Sequence, residues 1–254
     1  MPLPDPALGM SRGQAALDLL AVAMLLLGSQ VVLAISGLPL LIEDLAPDTR
    51  LLWANALIGL PSLAIVALIL ILRRQPPRAI GLGKAPVGRT IGAALAAVPV
   101  CYIALLIVVP LYLVIIGADV DHLVQERTQF FDEVPRLSIA PIIVFSLFVG
   151  LHEEVLFRGL ILARLRAVCR STWLAVIISS LIFGAFHAGQ GPIGVVQTST
   201  VGLILACVAT LTRSVWPALL THALFDTIGL VGIPFLQEHL PKLLDQATSM
   251  PATM

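Results

Sequence analysis

Residues 138–163 read SIAPIIVFSLFVGLHEEVLFRGLILA. A helix crosses a bilayer core about 30 Å thick with about 20 mostly apolar residues. The 26 residues of this stretch reach that length, yet they carry His152, Glu153, Glu154 and Arg158. A charge at the bilayer centre costs roughly 2.5–3.5 kcal/mol on insertion scales. A segment that is long enough to span lipid and still keeps three formal charges has to hide them among other helices. This stretch therefore points to an all-α, polytopic transmembrane bundle.

The same apolar pattern recurs on both sides of it. Candidate spans fall at about 14–42, 51–72, 90–116, 138–163, 173–189, 192–211 and 215–235, about seven in all with a range of six to eight. The pieces after 173 are short and close together, which leaves room for a re-entrant segment. The chain divides into a leader at 1–13, one helical domain at 14–235 and a polar tail at 236–254. Span one is too long and too apolar for a signal-peptide core.

Composition agrees. Of 254 residues, 58% are hydrophobic and 12% charged, and mean hydropathy is +1.00; soluble domains carry roughly 25% charged residues. So few charges cannot cover so much apolar surface in water. With 15 Lys+Arg against 15 Asp+Glu, no basic excess points to nucleic acid. Cys101, Cys169 and Cys207 lie far apart without a CxxC spacing and read as small apolar filler.

Most charges sort into loops. Arg73, Arg74, Arg78, Lys84 and Arg89 follow span two, Arg164, Arg166 and Arg170 follow span four, and Arg213 precedes span seven. Glu43, Asp44, Asp48 and Arg50 follow span one, and after span three Asp119, Asp121, Glu126, Asp132 and Glu133 outnumber Arg127 and Arg136. Basic loops favour the cytoplasm, so the N-terminus is expected inside. Asp18, near the start of span one, is expected to touch the interface and receives no role.

Spans four, five and seven hold six ionisable groups that stand out, Glu153, Glu154, Arg158, His187, His222 and Asp226. Such a cluster is by default a functional-site hypothesis. Glu154 and Arg158 are four apart, share a helix face and can neutralise each other. Glu153 is turned about 100° away and is left free to act as a general base in a cavity. His222 and Asp226 are also four apart and can bond each other or act on one ligand. Gly184 and Ala185 before His187 allow a neighbouring helix to approach closely. At 1.5 Å per residue, Glu154 and Asp226 lie about 15 Å deep, His187 about 21 Å and His222 about 9 Å. His152, beside Glu153, is weighed as a further active group and set aside as structural.

Three motifs now stand in order: Glu153-Glu154-x-x-x-Arg158, Phe183-x-x-x-His187 and His222-x-x-x-Asp226. Over about 138–230 they resemble the CPBP intramembrane proteases, the CAAX-protease and bacteriocin-processing (Abi) family that includes the Ras-converting CAAX prenyl endopeptidases. The resemblance implies an intramembrane endopeptidase, either a metalloendopeptidase or a glutamate-dependent one, that cuts a peptide or membrane-protein substrate amid membrane lipid. It implies that Glu153 activates water with help from His187, and that Glu154 and Arg158 hold the first motif. It also implies that His222 and the residue four later stabilise the oxyanion. That last position is typically Asn in the prenyl endopeptidases and is Asp226 here.

An ionised aspartate repels an oxyanion, so Asp226 would instead orient His222 or ligate a metal. With Glu153, His187 and His222 it would complete a zinc set of N and O ligands, although position 156 is Leu and the HExxH pattern is absent. Short loops and an Ala/Leu-rich composition suggest a bacterial inner membrane. The competing readings are a non-catalytic scaffold or bacteriocin-immunity protein and, behind it, a transporter; a transporter would be expected to show repeats, and none is seen.

Overall fold

The computed structural model describes residues 10–117 and 136–249. The first nine residues of the leader, the acidic loop at 118–135 with His122, and the chain end at 250–254 lie outside the described residues. Among the described residues there is no strand, and seven helices follow one another: α1 (Arg12–Ile35), α2 (Pro47–Leu72), α3 (Val87–Ile116), α4 (Ile139–Cys169), α5 (Thr172–Phe186), α6 (Gly191–Thr212) and α7 (Val215–Ser249). Six are long and apolar enough to cross a membrane, and α5 is shorter.

Local signals explain the ends. Ser11 caps α1 in a reciprocal box with Gln14. Pro47 opens α2, where its missing N–H costs nothing. Gly117 closes α3 in the left-handed conformation that glycine adopts without strain. Arg170 and Arg213 close α4 and α6 in the same left-handed region.

Helix α4 is the axis of the bundle. From Val155 to Leu165 every residue is buried, against Val22 and Leu26 of α1, Ile65 and Ile69 of α2, Val176 and Phe183 of α5, and Ala206 of α6. A smaller cluster joins Cys101 of α3 to Leu205 of α6 and Ala218 of α7. Outward faces are apolar, as at Leu106 and Val114, 75% and 77% exposed. Such faces would be costly in water and are at home in lipid. The chain is an integral membrane protein.

Three boundaries differ from the sequence reading. Helix α4 continues past 163 to Cys169, so Arg164 is a buried helix residue rather than a loop residue. Helix α5 stops at Phe186; its 15 residues reach only about 22 Å at 1.5 Å each, short of a full crossing. Helix α7 runs on to Ser249, through most of the segment read as a tail.

Candidate active site

The three motifs meet at the junction of α4, α5 and α7. Immediately after Glu154 the winding of α4 loosens into a π-helical segment, Val155–Ile161. Such insertions are frequent at functional sites. Gly159 within it lies against the Ile80 carbonyl, close enough that a Cβ would sit 3.2 Å from that oxygen.

Glu154 is fully buried and accepts two charge-assisted bonds on one oxygen. Arg158 Nη1 donates at 2.5 Å and His222 Nδ1 at 2.8 Å. The pairing expected from the four-residue spacing is therefore present, and it extends to a second helix. Arg158 Nη2 donates to the Gly202 carbonyl of α6 at 3.1 Å. Its guanidinium lies 4.2 Å from the centre of the Phe183 ring, a cation–π contact. Phe183 also stands edge-on to His222, with ring centres 6.0 Å apart. Phe183 is thus the apolar wall that holds the cation and an imidazole in place.

Helix α5 ends on the site. His187 caps it, and its Nδ1–H donates to the Phe183 carbonyl at 2.8 Å. That bond leaves Nε2 facing Glu153 Oε1 at 4.0 Å. Gly184 makes this placement feasible: a Cβ there would come within 2.8 Å of the Val195 carbonyl of α6 and closer still to Ser199 Oγ. The small residue lets α6 turn back directly against α5, as its sequence position suggests.

Glu153 behaves differently from its neighbour. It is partly open, its Oε2 lies 3.8 Å from His222 Nε2, and that oxygen has no hydrogen-bond partner. Asp226 Oδ2 stands 3.5 Å from the same His222 nitrogen. Tyr102 of α3 donates to the Phe225 carbonyl at 3.0 Å and steadies α7 beside Asp226. All five proposed catalytic residues therefore meet, although their sequence depths scattered by more than 10 Å.

Among the described residues no group of three or more His, Cys, Asp or Glu is arranged to hold a metal ion. The proposed zinc ligands Glu153, His187, His222 and Asp226 stand near one another without forming such a group, so no catalytic step is routed through zinc. His152 turns away from the site: its Nε2–H donates to Asn55 Oδ1 of α2 at 3.1 Å. The sequence reading missed Asp18. It is buried between Arg73, which caps α2, at 2.6 Å and Arg164 of α4 at 2.8 Å, and so ties three helices together. The available signal was a lone carboxylate one turn inside an apolar span, which is rarely left unpaired.

Residues 135–228 match the family model described as type II CAAX prenyl endopeptidase Rce1-like. The matched segment contains Glu153, Glu154, Arg158, His187, His222 and Asp226, so the chain is similar to that family over the part that builds the site. No curated protein and no solved structure matches the chain.

Proposed function

We propose that the protein is an intramembrane endopeptidase in which Glu153 activates a water molecule against a peptide carbonyl. The observation that carries this reading is the pair of gaps around Glu153, 4.0 Å to His187 Nε2 and 3.8 Å to His222 Nε2. Both are too long for a direct hydrogen bond and suit one bridging water about 2.8 Å from each atom.

The hydrogen-bond directions add to this. His187 donates from Nδ1 to Phe183, so in its neutral form Nε2 accepts. A water that gives one hydrogen to Glu153 and the other to His187 turns its oxygen lone pairs toward a carbonyl carbon. As the C–O bond forms, Glu153 takes the proton. His222, held at Nδ1 by Glu154, presents an Nε2–H in its imidazolium form to the developing oxyanion. Asp226 orients that imidazolium. Collapse breaks the C–N bond, and Glu153 returns the proton to the leaving amine.

The substrate class is a peptide or membrane-protein segment reaching the site from lipid. The proposed setting is a bacterial inner membrane with the N-terminus on the cytoplasmic side. The test is complementation of a null strain with Glu153→Ala and His187→Ala at matched membrane abundance. Loss of function in both, with uncut peptide accumulating, is the expected result. Full function in both would refute catalysis and favour a scaffold or immunity role.

A further inference from the structure

A separate cavity of about 110 Å³ opens at the end of the bundle where α2 leads to α3 and α6 turns into α7. Four arginines line it, Arg78, Arg158, Arg166 and Arg213, and no carboxylate does. None of Glu153, His187, His222 and Asp226 reaches it. Thr210 and Ser214 add hydroxyl groups to the same wall.

Two of the lining residues each carry a buried polar atom with no hydrogen-bond partner, Arg158 Nε and Thr210 Oγ1. Arg158 as a whole is 4% exposed, so its spare N–H has no access to bulk water. Leaving such a donor unsatisfied costs about 1–3 kcal/mol. Glu154 offsets the charge of Arg158 from the opposite side, but no acid lines the cavity to offset Arg78 and Arg213. Arg213 moreover holds a left-handed backbone, φ 60°, uncommon for any residue but glycine.

Guanidinium forks match tetrahedral oxyanions in geometry as well as charge. The volume is several times the ~30 Å³ that one water takes up in the liquid, room for such a group. The cavity also sits where the apolar runs of α2, α3, α6 and α7 begin or end, at the depth of lipid headgroups. We propose that it binds a phosphate group, presented by an anionic phospholipid or as free phosphate, with Arg78 and Arg213 gripping the oxygens from outside and Arg158 Nε and Thr210 from within.

The experiment uses the purified full chain in neutral detergent. Thermal unfolding is followed against inorganic phosphate, with chloride at matched ionic strength, and against micelles doped with phosphatidylglycerol or phosphatidylcholine. Native mass spectrometry counts retained lipid. Arg78→Ala/Arg213→Ala is compared with Lys84→Ala/Arg89→Ala, which removes the same charge elsewhere on the chain. The expected result is stabilisation by a phosphate-bearing probe, weakened about tenfold or more in apparent affinity by the first pair and unchanged by the second. Stabilisation by phosphatidylglycerol alone assigns a lipid; stabilisation by inorganic phosphate as well assigns the phosphate group itself. Stabilisation by neither probe, or equal loss in both double variants, overturns the site. Should Arg78→Ala/Arg213→Ala fail to fold, Thr210→Val takes its place; a several-fold loss of affinity supports the site, and unchanged affinity overturns it.

Discussion

The adjacent carboxylates Glu153 and Glu154 should fail in opposite ways when each is changed to glutamine. Glu154 is fully buried and compensates Arg158, whose side chain is 1% exposed. Glutamine keeps the shape but removes the charge, leaving the guanidinium buried without a counter-ion and His222 Nδ1 with a weaker acceptor. Breaking one side of a buried pair costs about 3–5 kcal/mol. On the scaling of 150–250-residue domains, 2–4 °C per kcal/mol, the melting temperature falls by roughly 6–20 °C.

Glu153 has no such partner: its nearest basic groups are imidazoles at 3.8 and 4.0 Å. Glu153→Gln should leave the melting temperature within about 2 °C of the parent or raise it, because an uncompensated charge leaves a poorly solvated place. Hydrolysis should fall by about 10²–10⁴, the usual contribution of a general base. The assay pairs thermal unfolding in one detergent with peptide release per folded molecule in the same preparation. Equal melting losses in the two variants, or hydrolysis surviving in Glu153→Gln, would refute the division of labour between the two groups.

Other perturbations separate structure from chemistry. Asp18→Ala leaves Arg164 buried without its carboxylate and should cost about 3–5 kcal/mol, measured as a melting shift, while activity per folded molecule holds. Asn55→Ala strands the His152 N–H and should cost about 1–3 kcal/mol with the same activity pattern, which a melting curve and a specific-activity measurement check together. Gly184→Ala forces α5 and α6 apart at the Val195 carbonyl; a destabilisation of about 1–3 kcal/mol should come with lost hydrolysis, because His187 sits one turn away. Asp226→Asn still offers an acceptor to His222 and should keep hydrolysis within a few-fold of the parent, whereas Asp226→Ala should lower it more; kcat measured on both variants decides.

The sequence by itself determined the solvent and the inventory. Apolar runs of spanning length and a 12% charge content specify a helical bundle in lipid, because only closed backbone hydrogen bonding survives there. The expense of burying charge made Glu153, Glu154, Arg158, His187, His222 and Asp226 legible as a group. The four-residue spacing of Glu154 and Arg158 even disclosed their pairing, since helical neighbours are a local matter.

Only the tertiary structure decided which groups meet. Hydropathy cannot tell a full crossing from a short helix, so by sequence alone the end of α5 at Phe186, which delivers His187 to the interior, falls inside a span. Side chains far apart in the chain couple through packing alone. The bonds of Glu154 to His222, Asp18 to Arg164 and His152 to Asn55 each join helices 68 to 146 residues apart. The division between a glutamate bonded to Arg158 and His222 and one that stands 3.8 and 4.0 Å from the nearest imidazoles exists only once α4, α5 and α7 are assembled around them.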